Sequence, residues 1–180
     1  MDQKNEIAVF GGGCFWCTEA IFKSLKGVIN VTPGYAGGDL DNPNEFEIHA
    51  GYTGHAEVIR IEFNPDIISY EDLLEVFWNC HNPTSVDRQG NDVGSEYRSI
   101  ILYTTDSQKE LAETSKVKFQ ELMKFENPIV TQIIPLEQFF DAESYHENYY
   151  ENHKEEPYCQ LVISPKLTHL REKFANILKK

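Results

Sequence analysis

The chain reads as an α+β protein, a two-layer sandwich of helices on a mixed sheet, and three observations point there. Strand-like and helix-like periods alternate in the order strand, helix, strand, strand, helix, strand. Glycine, proline and polar clusters separate these segments at short intervals. The 180 residues suit one domain, taken as 1–180, with a core over about 6–150 and a C-terminal segment over 151–180.

Glu6–Phe10 carries the apolar run of a short buried strand and leads directly into Gly11-Gly12-Gly13. Phe15, Ile21, Phe22 and Leu25 then recur at helical spacing, and Gly27 supplies the stop. Val28–Val31 predicts a second strand, followed by a loop through Pro33-Gly34-Tyr35-Ala36-Gly37-Gly38 and a polar stretch to Asn44. Val58, Ile59, Ile61 and Phe63 set against Arg60 and Glu62 predict a strand over Glu57–Phe63, ended by Asn64-Pro65. Ser69 with Asp72 three positions on introduces a helix over Leu73–Cys80. A glycine-bearing loop, Asn82–Ser95, precedes a strand over Tyr97–Thr104. Asp106 or Ser107 caps a long polar-faced helix to about Lys124, and Ile129–Pro135 is a further strand. Helical pattern returns over Ala142–His153 and Leu167–Lys180. That order is a ferredoxin-like split βαβ core with extra C-terminal helices.

Composition narrows the function classes. Sixteen basic against twenty-nine acidic side chains give a net charge of −13, a field that repels phosphate backbones and anionic lipid. Neither a nucleic acid nor a membrane is expected as partner. The N-terminus lacks the basic start and apolar stretch of a secretory signal, and no apolar run approaches the roughly 20 residues needed to span a bilayer. A cytoplasmic location is the expectation. Four cysteines are too few for a disulfide scaffold, so in a reducing compartment they are free thiols, a metal site or a catalytic redox set.

Gly11-Gly12-Gly13-Cys14 follows a strand and opens a helix. Three glycines permit a tight turn and leave the first helical amides uncovered. A cysteine there sits at the positive end of the helix macrodipole, which lowers its pKa and raises its thiolate fraction. An inert buried cysteine after a glycine turn is the plain competing reading. Cys14-Phe15-Trp16-Cys17 is also a C-x-x-C, but two large aromatics fill the place of the small or turn-forming pair of a thioredoxin motif. Zinc lacks a second ligand pair at recurrent spacing, with Cys80-His81 and His146 to His153 in unrelated segments. A phosphate loop lacks the Lys-Ser or Lys-Thr after the glycines.

Several blocks in one order make the chain resemble the peptide methionine sulfoxide reductases of the A type. They are Gly13-Cys14-Phe15-Trp16 with Glu19-Ala20, Pro33 to Gly38, Gly54-His55-Ala56-Glu57, and Arg88 to Gly94 with Tyr97-Arg98-Ser99. Ala142-Glu143, Tyr145-His146 and Tyr149 complete them, so the match covers most of residues 7–150. The resemblance implies reduction of methionine-S-sulfoxide, free or in oxidised proteins and peptides. Cys14 would attack the sulfur and Glu57 would protonate the oxygen, with a pKa raised by burial. Phe15 and Trp16 would receive the methyl group, and Asp92 and Tyr97 would line the pocket. On composition alone, core packing, loop capping and an exposed strand carboxylate would be the better account of these five residues, and the family match reverses that for Glu57. Reduction leaves Cys14 as a sulfenic acid, which a second thiol condenses to a disulfide. Cys159 resembles the family's resolving position. Cys17 is the alternative, although a bridge between two helical residues at i and i+3 is strained unless the first turn frays. Cys80, beside Phe77 and Trp78, reads as a buried hydrophobe. No cofactor is implied beyond an external dithiol, by resemblance thioredoxin.

Two departures from the family pattern stand out. Glu45 occupies the place of a pocket tyrosine, so that either Tyr97 with ordered water suffices or another tyrosine such as Tyr52 substitutes. His49 stands where a cysteine is common, and the tail 160–180 lacks a glycine-rich second-cysteine ending, which leaves one resolving step. Two rival functions remain testable: a general thiol–disulfide oxidoreductase through Cys14 and Cys17, and a non-catalytic module that binds oxidised or methionine-rich peptides.

Overall fold

The computed structural model describes residues 4–180. Its strands are β1 (Glu6–Gly12), β2 (Val28–Ala36), β3 (Ala56–Phe63), the short hairpin pair β4 (Arg88–Gln89) and β5 (Asp92–Val93), β6 (Ser99–Tyr103), β7 (Gln132–Pro135) and β8 (Phe139–Asp141). The helices are α1 (Phe15–Lys23), α2 (Glu45–His49), α3 (Tyr70–Cys80), α4 (Asp106–Met123), α5 (Tyr149–Asn152) and α6 (Ser164–Phe174).

Six strands form one sheet in the order β7-β6-β1-β3-β2-β8. The inner four are antiparallel neighbours in the split βαβ order that the sequence predicts. β7 joins β6 in parallel and makes the sheet mixed. Both faces of the central strands are buried, and this explains the near-continuous apolar runs of β1 and β3. Phe10, Phe22, Phe63, Phe77 and Trp78 belong to the main core between the sheet and α1, α3 and α6. Val9, Val58, Ile100 and Leu102 form a smaller cluster on the opposite face.

Several segments differ from the sequence reading, among them the β4–β5 hairpin inside the predicted loop and β8, which that reading lacks. β2 continues through Pro33–Ala36, where the sequence predicts a loop. Pro33 lies just past the end of β8 and offers its carbonyl to Ala142 N–H at 3.0 Å, and its missing N–H breaks no ladder there. Gly34 is required because a Cβ would come within 2.5 Å of the Phe140 carbonyl. The polar stretch before β3 holds α2, started by a capping box between Asn44 and Glu47. Tyr97 ends a 3₁₀ turn instead of opening a strand, and β6 begins at Ser99. Residues 142–153 are two short turns, whereas helix begins near Cys159 with a π-turn over Cys159–Ile163 and runs on as α6. Among the described residues, no helix is long and apolar enough to cross a membrane.

Candidate active site

β1 delivers the chain to Gly13, whose φ of +95° and close approach to Gln89 exclude a side chain. Cys14 follows as N-cap of α1, with φ −56° and ψ 126°, outside the helix proper. Its carbonyl accepts from Cys17 N–H at 3.1 Å, and each thiol shifts the titration of the other across the first turn. Residue 14 lies outside the helix, so the pair is not two helical residues at i and i+3.

The positive end of α1 is used differently from the sequence expectation. Phe15 N–H, the first free amide, donates to Glu57 Oε2 at 3.1 Å. Burial therefore governs Cys14 and pushes its thiol well above the ordinary range; the hydrogen bond with Cys17 and the charge of Glu57 push the same way. Only the Trp16 amide opposes them. The low-pKa Cys14 expected from the macrodipole is thus not what the fold delivers. Cys17 is the acidic member, brought down to about 7 by the hydrogen bond from Cys14 against the cost of burial, with Lys166 adding to the effect.

Glu57 comes from β3, opposite Tyr35 in the ladder, and is 4% exposed. Burial raises its carboxyl, while His49 and the Phe15 amide pull it back. His49, at the end of α2, places Nε2 at 3.3 Å from Glu57 Oε1. Tyr35 donates its hydroxyl to Glu143 Oε2 at 2.8 Å, and burial holds that phenol far above its usual range.

Phe15 is buried, with its ring 5.7 Å from Tyr35 and 4.9 Å from His146. Trp16 stacks on Tyr149 at 3.6 Å and donates Nε1–H to His146 Nδ1 at 3.0 Å. That acceptor role fixes the neutral His146 tautomer with hydrogen on Nε2, which faces Glu45 at 3.5 Å. Glu45 also accepts from the Tyr145 hydroxyl. Tyr52 stands 64% exposed, so it does not substitute for the missing pocket tyrosine.

Asp92, from β5, accepts from the Tyr158 hydroxyl at 2.7 Å, and that oxygen lies 3.7 Å from Cys17 Sγ. Tyr97 is half-buried near Glu57, Cys14 and Asp92; burial, then those charges, raises its phenol. Cys159 is fully buried in the π-turn that precedes α6, and burial raises its thiol. Cys80 donates its S–H to the Phe77 carbonyl and is pushed up to about 12 by burial, as suits a core residue.

The site therefore gathers Cys14, Glu57, Phe15, Trp16, Asp92 and Tyr97 around the start of α1. Sequence reasoning missed Tyr35, Glu143 and Tyr158 as working members. Tyr35 and Glu143 lie inside blocks already singled out, whereas Tyr158 had only its place beside Cys159 to mark it. Among the described residues, no group of three or more His, Cys, Asp or Glu side chains is placed to hold a metal ion.

Known proteins share both the sequence and this architecture. A sequence model of the family described as peptide methionine sulfoxide reductase matches residues 6–178. The chain is 52% identical over 169 residues to the peptide methionine sulfoxide reductase MsrA of Sulfolobus acidocaldarius, covering 94% of this chain and 95% of that one. It is 47% identical to an MsrA of Thermus thermophilus over 175 residues, 97% of this chain and 98% of the other. The crystal structure of Mxr1 from Saccharomyces cerevisiae in reduced form superposes with a TM-score of 0.80 at 28% identity, covering 88% of this chain and 91% of that one.

Proposed function

The chain belongs to the peptide methionine sulfoxide reductase family and reduces methionine sulfoxide, and from that premise we propose how its own residues divide the work. The observation that carries the proposal is a buried carboxyl, Glu57, hydrogen-bonded to the amide that follows Cys14.

A sulfoxide oxygen is a weak base and a poor leaving group, so sulfur attack needs a proton on that oxygen at the same time. Cys14 thiolate attacks the substrate sulfur while Glu57 delivers its proton to the oxygen. The sulfur–oxygen bond breaks, oxygen passes to Cys14 as a sulfenic acid, and the thioether leaves reduced by two electrons. The raised thiol of Cys14 and the raised carboxyl of Glu57 suit this exchange. Ionised Glu57 holds Cys14 as a thiol, and protonated Glu57 releases it, so the two groups share one proton in the right sense. A bound sulfoxide favours the reactive arrangement, with positive sulfur toward Cys14 and basic oxygen toward Glu57.

Phe15 and Trp16 form the apolar wall for the methyl group, held by Tyr35, Tyr149 and His146. Asp92 and Tyr97 close the polar side of the pocket, and the handedness of this wall against the acid selects the S epimer. The sulfenic acid then condenses with a second thiol and expels water. A place one turn from Cys14, tied to it by a backbone hydrogen bond, and a pKa of about 7 favour Cys17 for this step over Cys159, which the family resemblance implies and which stays the alternative resolving thiol. A thioredoxin-type dithiol returns the pair to thiols. Every step uses thiols and a carboxyl, so the external dithiol is the only co-reactant, and residues 1–180 act as one catalytic domain. Oxidised proteins, peptides and free methionine sulfoxide are the substrates. A cytoplasmic setting, where reduced thioredoxin is supplied, suits the cycle.

Incubation with dithiothreitol and a mixed-epimer sulfoxide, with products resolved by chirality, tests this reading. Consumption of the S epimer alone is expected. Disulfide reduction without sulfoxide loss would favour a general oxidoreductase, and binding without product would favour a recognition module. Thiol mass mapping after one turnover then identifies the bridged pair.

A further inference from the structure

Glu57 is almost sealed from water: its side chain is 5% exposed, one oxygen faces Phe15 N–H, and the other faces His49. The His49 side chain is 43% exposed. One imidazole therefore touches both the buried acid and the solvent. We propose that His49 is a proton-relay residue that reloads Glu57 from solvent while the sulfoxide is reduced, an inference that rests on the acid role of Glu57 given above.

The proton path is short. Glu57 gives its proton to the sulfoxide oxygen and is left as a carboxylate at the moment its charge is least solvated. His49 imidazolium, 3.3 Å away, passes its Nε2 proton to Glu57 Oε1 and recovers one from water. Two electrons move from Cys14 sulfur to the substrate sulfur, and the single proton consumed with the thiolate comes in the end from solvent. The charges that face His49 suit this role. Its hydrogen bond to Glu57 raises it most, and Glu45 at the start of α2 and Glu96 in the turn after β5 add to that, against partial burial. His146, across α2, is kept from charging chiefly by burial and does not compete for the proton. The Tyr97 ring packs 6.4 Å away and carries no charge in this range.

A pair that shares a proton gives up its last one at no lower pH than either member would alone. The alkaline limb of the chemical step thus belongs to the His49–Glu57 pair, and loss of the imidazole should move that limb down. The test is the single-turnover rate of thioether formation against pH for the wild type, H49Q and H49A. Gln keeps an N–H for Glu57 but cannot titrate, so H49Q should match the wild type on the acid side. Its alkaline limb should fall by about one pH unit, which is about tenfold in rate near pH 8. Added imidazole should restore H49A in proportion to imidazolium concentration. A limb that stays put in H49Q overturns the relay. So does a shifted limb that imidazole fails to restore in H49A, because that would be a local field effect. E57Q separates the two layers: E57Q at the wild-type rate removes the acid role itself, whereas a slow E57Q with an unmoved H49Q limb removes only the relay.

Discussion

Cys14 stands between two flanks built from different parts of the chain. The flank to which we assign proton transfer comes from the sheet: Glu57 on β3, Tyr35 on the neighbouring β2, and His49 on the helix that leads back into β3. The flank to which we assign the thiol steps comes from α1 and the C-terminal segment, with Tyr158 beside Cys159 joining Cys17 to Asp92 of the small hairpin. In the first, Glu57 and Tyr35 are buried and locked by strand register, and His49 stands at the solvent edge. The second depends on docking of a segment whose backbone includes a π-turn, a geometry rare enough to mark function or strain. Chemistry that needs a fixed acid is placed on the rigid flank. On the reading proposed above, chemistry that needs a bridge to form, to meet an external dithiol and to break falls to the flank that includes the π-turn.

The largest effect should come from Cys14 itself, the one atom both flanks serve. Cys14→Ser should reduce turnover to background with every dithiol tested, measured as thioether formed. On the proton flank, Glu57→Gln should slow single turnover by about 10²- to 10⁴-fold, the usual size of a general-acid contribution. Stability should move the other way. Burial raises the Glu57 carboxyl, so the fold prefers its protonated form. The stability tied to this group is present below the unfolded carboxyl range and is lost as pH rises through the folded value. A neutral amide escapes that loss, so E57Q should melt at the same temperature as the wild type or higher near neutral pH. A melt well below wild type would mean that Glu57 holds the site together and is not mainly its acid.

On the thiol flank the signature is different in kind. Cys17→Ser should keep one full stoichiometric turnover and lose dithiol-driven recycling, while Cys159→Ser keeps both. The reverse pattern assigns resolution to Cys159. The pH dependence of alkylation sharpens this. With Cys17 lowered to about 7, the free enzyme should release its first thiol proton near that pH, and the thiolate fraction should grow above it. In Cys17→Ser that early phase should vanish, leaving a Cys14 thiol held up by burial.

Legibility in the sequence divides along the same line. Strand order, the capped α3 and the place of Cys14 before α1 can be read because period, caps and glycines are local signals. Glu57 is marked by its block, and its burial by the apolar strand around it. What cannot be read is what tertiary contacts decide. The helix-terminal amide could have served the Cys14 sulfur, and only the fold assigns it to Glu57 instead. That Cys14 stands outside the helix follows from the non-helical φ and ψ of one residue. The sequence ends β2 too early because Pro33 and Gly34 look like loop residues, and their fit next to β8 depends on a strand more than a hundred residues away.

The smallest effect expected is at the joint between the thiol flank and the hairpin. The Tyr158 hydroxyl donates to Asp92 at 2.7 Å and lies 3.7 Å from Cys17 Sγ, so it ties the C-terminal segment to both. Tyr158→Phe keeps the ring that edges Trp16 at 5.8 Å and removes only the oxygen. A hydrogen bond of this kind is worth about 0.5–1.5 kcal/mol net, which corresponds to about a two- to twelvefold change in a rate or an equilibrium. The sign follows from the contact: the hydroxyl helps lower the Cys17 thiol, so its loss should move the early alkylation phase to higher pH by a fraction of a unit. Recycling should slow by the same few-fold while single turnover on the proton flank stays at the wild-type rate. Equal slowing of both would show that the two flanks are coupled through Tyr158, and the division drawn between them would fail.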